Sequence, residues 1–599
     1  MSRLLTLLVG IGLLASLSAA SGQESADPRD PVLNFEYAWK TMDRTYAQFG
    51  VKHVDWDALY RVYRPQVTLA TTDEELWNIL LTMLQHLNDS HVCLADGTRR
   101  NCGGLTEGLK PDDFSMELVK TRYLQGKSTD ALDGSFTSGW LADGIGYLHI
   151  GDFKDGIEPT TQAIDAFMST FTKARGIVVD VRGNPGGAGQ AAELVANRFA
   201  DRRRHYMRVQ TRYGPRHDDL TPADYRNVEP TGPIRFTGPT VLLAHRLSAS
   251  AADGFVLAMR VLPHVTVVGD PTEGAFAAQF PDRMPNGWVL WVAFKTETDH
   301  NGVCYDGLGV PPDLRIWNTP ADIAAGTDRV LEFAQKLLER GAPAPQDEAA
   351  SLVNVKTSLV EEYVRAASDQ GAAAAITALN KARAAKGEAH FFSPDDAMPQ
   401  AGQYLGRKQY PEAIGLLQAC REDFPQFAST YAMLARAHLG TGDVAAAEAA
   451  LREGESVEAM LPWELPQIAQ AWTAVRKARL GSAAEIVGQA LTSGGVAAAE
   501  KTFQELLARR DTGPVFDEND FNNLGYRLVQ EGNLEAGVYV FERNAQLYPK
   551  SWNAHDSLGE AQLKAGQKER AIASYRRSLE LNPQSKSGRE MLKRLEAGQ

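Results

Sequence analysis

The sequence predicts a multidomain protein with an N-terminal helical subdomain, an α/β core and an all-α C-terminal region. Three observations support this fold class. Apolar residues recur at helical spacing near the N-terminus, strand and helix patterns alternate between about residues 144 and 270, and helical patterns dominate beyond residue 350. The chain has 599 residues, of which 44% are hydrophobic, so it has enough apolar material for several cores.

The overall charge excludes some classes of partner. The 62 Lys and Arg residues against 75 Asp and Glu residues give a net charge of −13. A chain this acidic is poorly suited to coating nucleic acid or an anionic membrane, so neither is expected as a partner. Four cysteines are too few for a disulfide scaffold. Cys93 and Cys102 are close enough to pair in an oxidising compartment, whereas Cys304 and Cys420 are expected to be buried thiols.

Residues 1–22 have the pattern of a secretory signal peptide. Arg3 precedes an uncharged run from Leu4 to Leu17, and small residues follow at 18–22. A membrane anchor is the alternative, but a spanning helix needs about 20 apolar residues and this run is shorter. The chain is therefore expected to be exported, periplasmic or secreted, without stable membrane insertion.

The N-terminal helical subdomain is predicted over residues 30–94. Apolar residues at helical spacing between Phe35 and Phe49 predict a first helix. Thr72 and Glu75 form a capping-box pattern that begins another helix. That helix should end at residues 88–91, where the chain becomes extended.

The α/β core is predicted over residues 95–340. A near-continuous apolar run at 176–182 is typical of a buried strand, and a glycine-rich loop at 183–187 follows it. Alternating strands and helices favour crossover connections and a parallel sheet. The predicted strands are 145–150, 176–182, 240–244 and 265–269, and the predicted helices are 158–173, 190–199 and 251–262.

A proline- and alanine-containing linker is predicted at residues 341–350, and a helical region at 351–599 follows it. Residues recur there with a 34-residue period, such as Pro549 and Pro583, or Gly525 and Gly559. This pattern resembles tetratricopeptide repeats, which are clearest at 400–455 and 517–585 and cannot be placed at 455–516. A generic helical bundle is the alternative. The resemblance implies a repeat tail that binds a protein partner.

Ser250 is the candidate nucleophile. It lies between a predicted buried strand and a predicted helix, in the segment Ser250-Ala-Ala-Asp253. The N–H groups at a helix N-terminus favour negative charge that develops beside such a serine. Serine is also a common N-cap, so an ordinary capping role is the alternative.

Several separated motifs occur in a fixed order and resemble the superfamily of tail-specific and tricorn-type serine peptidases over about residues 35–340. The resemblance implies a crotonase-like α/β core in which a serine attacks a peptide carbonyl. It implies a peptide or protein substrate and no cofactor. The motifs are Asp89-Ser-His-Val92, Asp180-Val-Arg-Gly-Asn-Pro-Gly-Gly187, Ser250-Ala-Ala-Asp253, Gly269-Asp-Pro-Thr-Glu-Gly274 and Tyr305-Asp-Gly-Leu-Gly-Val-Pro-Pro-Asp313.

The resemblance also indicates the branch. The tail-specific branch has a Ser–Lys dyad whose lysine comes just after the Gly-x-x-Thr-x-Gly motif, but Ala275 and Phe276 follow that motif here. The tricorn-type branch instead has a histidine base, which corresponds to His91. The same branch has a glutamate before the Gly-Val-x-Pro-Asp segment, where this chain has Asp306; Glu297 and Asp299 are the alternatives.

The expected site therefore has a Ser–His arrangement. His91 is the general base, since the unperturbed histidine pKa of about 6.5 suits neutral pH. By similarity, Asp306 and Ser90 would orient or polarise this base. The oxyanion hole would use backbone N–H groups of Gly186, Gly187 and Ala251, since glycine lets the acyl oxygen approach. A plain surface role for His91, with His245 as the base, is the alternative.

Two further features limit the function. About fifty residues separate Cys93 from Gly144, too few for a PDZ domain, so selection of a free C-terminus is not expected. His91, Cys93 and Cys102 lack a fourth ligand at metal-site spacing, so no metal is expected. The sequence predicts an exported serine peptidase whose repeat tail recruits substrate or partner. The alternatives are a catalytically inactive peptide-binding scaffold, and a tail that packs on the active site as a lid or wall.

Overall fold

A computed structural model describes residues 27–104, 113–340, 356–385, 390–457, 464–583 and 585–596. The predicted signal peptide at 1–22 and the predicted linker at 341–350 lie outside the described residues. The described residues of Met1–Thr430 and Val457–Leu465 form one compact unit, and those of Tyr431–Ser456 and Pro466–Gln599 form a second. No described helix is long and apolar enough to cross a membrane.

The N-terminal helices share one hydrophobic core with an antiparallel sheet. The Thr72–Glu75 capping box begins the fourth helix as predicted. Trp77 of this helix packs edge-on against Trp288, which precedes a strand from much later in the chain. A disulfide joins Cys93 to Cys102 across the first hairpin, which confirms that prediction. These elements are α1 (Pro31–Thr45), α2 (Phe49–Lys52), α3 (Trp56–Tyr63) and α4 (Asp73–Gln85), with strands ordered β11 (Gln279–Arg283), β12 (Val289–Ala293), β1 (Cys93–Ala95) and β2 (Arg100–Cys102).

A seven-stranded sheet forms the centre of the α/β core. Five neighbouring strands are parallel and two antiparallel strands extend one edge. The order is β14 (Leu314–Arg315), β10 (Val265–Gly269), β9 (Thr240–Ala244), β6 (Gly176–Asp180), β5 (Ile145–Ile150), β4 (Phe136–Trp140) and β3 (Thr129–Ala131). The helices of this part are α5 (Met116–Leu118), α6 (Ile157–Thr170), α7 (Gly189–Asn197), α8 (Ala251–Arg260), α9 (Pro320–Ala324) and α10 (Arg329–Glu339).

Helices cover both faces of this sheet because its strands are apolar on both sides. Side chains of α6, α7 and α8 share a core with one face, and side chains of α10 share a core with the other. The predicted α/β architecture is confirmed. The strand predicted at 176–182 ends at Asp180, because Arg182 leaves the sheet and forms buried ion pairs with Asp180 and Asp328.

A third sheet carries the first helices of the C-terminal region. Its strands are ordered β13 (Lys295–Asp299), β7 (Arg204–Thr211) and β8 (Asp224–Val228). Lys295 pairs with Asp395 at 2.7 Å, Arg203 pairs with Glu361, and the rings of Tyr225 and Phe391 lie 5.2 Å apart. Glu361, Asp395 and Phe391 belong to three different elements of this region. The region consists of α11 (Leu359–Gln370), α12 (Ala372–Ala385), α13 (Pro394–Gly406), α14 (Tyr410–Asp423) and a small parallel pair, β15 (Thr357–Ser358) and β16 (His390–Phe391).

Nine further helices follow in the described residues, and those at 518–530 and 534–547, like those at 552–564 and 568–581, pack closely against each other. The 34-residue period has a steric cause, since a Cβ atom on Gly525 would lie 2.7 Å from the Phe541 ring and one on Gly559 would lie 3.1 Å from the Tyr575 ring. Small residues are thus required where paired helices cross. These helices are α15 (Ala428–Gly440), α16 (Val444–Glu455), α17 (Glu464–Leu480), α18 (Ala483–Leu507), α19 (Glu518–Gln530), α20 (Leu534–Leu547), α21 (Trp552–Lys564), α22 (Lys568–Leu581) and α23 (Lys586–Glu596).

Candidate active site

Ser250 lies at the start of α8 in a constrained conformation. Its φ of 57° and ψ of −117° belong to a region that a residue with a side chain adopts only when its surroundings impose it. Its side chain makes no capping hydrogen bond, so the structure does not support an ordinary N-cap role. Ser250 instead lines a cavity of about 310 Å³.

The glycine-rich loop after β6 lies directly against Ser250. A Cβ atom on Gly186 would lie 2.7 Å from the Ser250 Cβ and 3.0 Å from the Ala251 nitrogen. The Gly186 N–H donates to Asn184 Oδ1 at 2.8 Å, which corrects the expectation that Gly186 is an oxyanion donor. The N–H groups of Gly187 and Ala251 donate to no other described residue. Gly186 therefore supplies space, and these two groups are the available donors.

His91 is held by a backbone carbonyl. It lies in the turn after α4, and its Nδ1 is 2.8 Å from the carbonyl oxygen of Phe276. Since a carbonyl only accepts, Nδ1 carries the proton and Nε2 is left as the basic nitrogen. Ser250 and His91 are not hydrogen-bonded to each other. Such contacts often tighten only when substrate binds.

Three carboxylates hold the loop that presents the Phe276 carbonyl. Two residues of this loop, Ala275 and Ala277, also line the Ser250 cavity, so His91 is attached to the wall of that cavity. Asp253 comes three residues after Ser250, and burial raises its pKa to about 7 although N–H donors oppose the shift. The bonds are Gly274 N–H and Ala275 N–H to Asp253 at 2.9 and 3.1 Å, Phe276 N–H to Asp306 at 3.0 Å, and Ala277 N–H to Glu297.

Asp306 is therefore joined to His91 through the loop and not directly. It is 5% exposed, and besides Phe276 it accepts from Gln48 and from the ammonium of Lys52. Burial raises the pKa of Asp306, repulsion from Asp89 adds to the rise, and Lys52 opposes both. Burial alone would lower the pKa of Lys52, but the two carboxylates outweigh it and raise that pKa.

Asp89 is a site residue to which the sequence analysis gave no role. Its Oδ1 accepts from the His91 N–H at 2.8 Å, and its Oδ2 accepts from the Tyr46 hydroxyl at 2.9 Å. Asp89 thus fixes the turn that carries the histidine. The hydroxyl of Ser90 has no hydrogen bond to another described residue, so no contact supports its expected polarising role. Ser90 packs closely against Gly104, since a Cβ atom on Gly104 would lie only 2.7 Å from the Ser90 Cβ.

The alternative residues lie elsewhere or have other partners. His245 is 4% exposed, and its Nδ1 accepts from the Leu247 N–H at 3.1 Å. Neither His245 nor His91 is among the residues that line the Ser250 cavity, but His91 is bonded to the loop that forms part of its wall. Burial lowers the pKa of His245 to about 4, which leaves it neutral. Asp299 accepts from the N–H groups of residues 301 and 303 and so stabilises a turn. Glu297 does line the cavity, and burial raises its pKa.

Asp89, His91 and Asp306 bring three oxygen or nitrogen atoms within 4.8 Å of one another, the kind of grouping that can hold a metal ion. The Lys52 ammonium already contacts Asp306 and lies 3.7 Å from Asp89. A cation therefore already occupies this position. The grouping is best described as a buried ion-pair network that supports the His91 turn.

Comparisons with known proteins agree with this geometry. Residues 144–316 match the peptidase family S41 model, and residues 30–85 match the tricorn protease C1 domain. Residues 404–459 and 552–585 match tetratricopeptide repeat models, which confirms the repeats.

Individual relatives are 25 to 32% identical to this chain over part of its length. The carboxy-terminal processing protease CtpA of Bacillus subtilis is 25% identical over 218 residues, which are 36% of this chain and 41% of that protein. Tricorn protease homolog 1 of Streptomyces coelicolor is 30% identical over 194 residues, 32% of this chain and 16% of that protein. A crystal structure from Parabacteroides merdae is 32% identical with a TM-score of 0.48, across 52% of this chain and 97% of that one. The chain thus spans less than half of these two named relatives. It belongs to the S41 family of serine peptidases, in the group that includes tricorn and carboxy-terminal processing proteases, and it carries tetratricopeptide repeats.

Proposed function

We propose that this protein hydrolyses peptide bonds with Ser250 as nucleophile and His91 as general base. The observation that carries the proposal is the strained, uncapped Ser250 at a cavity whose wall supplies two available N–H donors, Gly187 and Ala251. Strain of this kind persists only where the surrounding structure imposes it, and it concentrates at functional sites.

The proposed reaction assigns one step to each of these groups. His91 Nε2 takes the proton of the Ser250 hydroxyl as its oxygen attacks the substrate carbonyl carbon. The resulting oxyanion receives hydrogen bonds from the N–H groups of Gly187 and Ala251. His91 then donates the proton to the leaving amine, and water hydrolyses the acyl-enzyme by the same route. Asp306 and Asp89 hold the imidazole in position and take no part in the proton transfers.

A fluorophosphonate probe tests the proposal directly. Full-length protein should be labelled on Ser250, and labelling and peptide hydrolysis should both be lost in Ser250→Ala without a change in melting temperature. Ser169→Ala is a matched control, since the Ser169 hydroxyl only bonds the carbonyl of Asp165 on an exposed helix surface. A folded wild-type chain that neither labels nor cleaves any peptide of a mixed library would overturn the proposal in favour of a non-catalytic peptide-binding scaffold.

The same proposal includes export through residues 1–22 and capture of a protein partner or substrate by the repeats. The Cys93–Cys102 disulfide supports export, because disulfides persist in oxidising compartments. N-terminal sequencing of the protein purified from its native cells should begin just after residue 22. A chain that retains Met1 and remains in the cytosol would contradict this part.

A further inference from the structure

Four charged side chains line the Ser250 cavity. They are Glu193 of α7, Arg226 of β8, and Lys295 and Glu297 of β13. The two cations each have a carboxylate partner, and the two anions accept only from uncharged groups. The pairs are Arg226 with Asp224 at 3.1 Å, Lys295 with Asp395 at 2.7 Å, Glu193 with the Tyr206 hydroxyl at 2.7 Å, and Glu297 with the Ala277 N–H.

One of these carboxylates comes from outside the α/β core. Asp395 lies in the first turn of α13, beyond the predicted linker, and its side chain is only 8% exposed. Besides Lys295, it accepts from the hydroxyl groups of Thr211 and Thr221 at 2.7 and 3.3 Å. All three donors belong to the core, so the helical segment places a buried carboxylate directly behind the cavity wall.

We infer that Asp395 is a specificity-determining positioning residue, which neutralises Lys295 and so sets the charge of the cavity next to the scissile bond. This inference rests on the proposed function of Ser250. Arg226 attracts the carboxylate of Glu193, and Lys295 and Arg226 both attract that of Glu297, so the charged groups that line the cavity offset one another. With Asp395 in place, an acidic substrate side chain therefore meets no surplus cation. Removing the Asp395 charge leaves a surplus cation at the wall and shifts the preference towards an acidic side chain.

The test measures substrate preference in the full-length protein. Three peptides differ only in having Glu, Gln or Lys at the residue that supplies the scissile carbonyl, and kcat and KM are determined for each. Asp395→Asn should raise the ratio of kcat/KM for Glu over Lys by about tenfold or more, mainly through KM. Lys295→Met leaves Asp395 without its cation and should move the ratio in the opposite direction.

The double variant Lys295→Met with Asp395→Asn separates charge from structure. It removes a neutral pair, so it should return the ratio towards the wild-type value, which a general loosening of α13 would not do. Thr211→Val removes a hydrogen bond of Asp395 without changing charge, and it should leave the ratio unchanged. Ser250-dependent hydrolysis with an unchanged ratio in both single variants would overturn this inference alone. Absence of Ser250-dependent hydrolysis in the wild type would overturn the proposed function together with it.

Discussion

Replacing Asp306 with asparagine tests how the base is held. Asp306 accepts N–H bonds on both carboxylate oxygens, from Phe276 and Gln48 on one and from Lys52 on the other. An asparagine of the same shape offers one acceptor oxygen and one NH₂ group. In either orientation of the amide, an NH₂ group therefore faces a donor, and either Lys52 or the Phe276 N–H loses its acceptor.

The magnitude follows from that loss. A buried donor left without an acceptor costs about 1–3 kcal/mol. If this cost appears as displacement of the Phe276 carbonyl from His91, then kcat/KM falls by about 5- to 140-fold, since each 1.4 kcal/mol is tenfold. Stability should change less than activity, because the substitution also removes the repulsion between Asp306 and Asp89. Asp306→Glu keeps two acceptor oxygens and should be less affected.

The assay is hydrolysis of a fluorogenic peptide between pH 5 and 9. Burial raises the pKa of Asp306, so the wild type should lose activity as the pH falls through that raised value. Asp306→Asn should lack this acid-side loss of activity. Asp282→Asn is the control, since Asp282 accepts from the hydroxyl groups of Tyr37 and Thr41, which can rotate. Wild-type kcat/KM and an unchanged pH profile in Asp306→Asn would refute the reasoning.

Two other substitutions test the supporting network and the oxyanion hole. Lys52→Met leaves buried carboxylates without their cation and should cost about 3–5 kcal/mol of unfolding free energy at pH 8. The loss should shrink as the pH falls through the raised pKa of Asp306, because the protonated carboxyl no longer needs a cation; a urea-unfolding deficit independent of pH would contradict this. Gly187→Ala places a Cβ 2.5 Å from the Phe153 carbonyl and should lower kcat by about 100-fold or more. Gly189→Ala, where nothing lies within 4 Å of the new Cβ atom, should leave kcat unchanged. Equal kcat values for the two variants would show that Gly187 does not contribute to the oxyanion hole.

Local patterns predicted the α/β core well because its strands are short apolar runs bounded by turns. The strands at 145–150, 240–244 and 265–269 have the predicted bounds. Pairing between distant segments could not be predicted in this way. The strands at 279–283 and 289–293 pair with β1, nearly 200 residues earlier, and complete the core of the N-terminal helices.

The candidate site was predictable where a side chain carries the signal. Ser250 and His91 occur in motifs that join strands, turns and helices, so the resemblance identified them. The group that fixes the base is the backbone carbonyl of Phe276. Every residue type carries a backbone carbonyl, so the sequence gives no signal for this contact. Lys52 lies at the end of a four-residue helix, and nothing near it in the sequence indicates that it meets Asp306, which is 254 positions away.

The helices that follow the predicted linker give the last prediction. The sequence favoured a separable tail, so that a chain ending at Gly341 would fold and cleave short peptides at the full rate. The contacts favour the opposing view for residues 356–430, because they cover the third sheet and pair Lys295 with Asp395 at the cavity wall. Breaking that buried pair alone costs about 3–5 kcal/mol.

A chain ended at Gly341 should therefore aggregate, or melt at a lower temperature and lose turnover on a short chromogenic peptide. A chain ended at Pro549 is the matched comparison, since it removes only helices of the second compact unit. It should keep the full rate on the same peptide and lose efficiency only on a protein substrate that the repeats capture. If both truncated chains matched the full-length rate and melting temperature, residues 356–430 would be dispensable for the cavity, and the role assigned to Asp395 would fail with them.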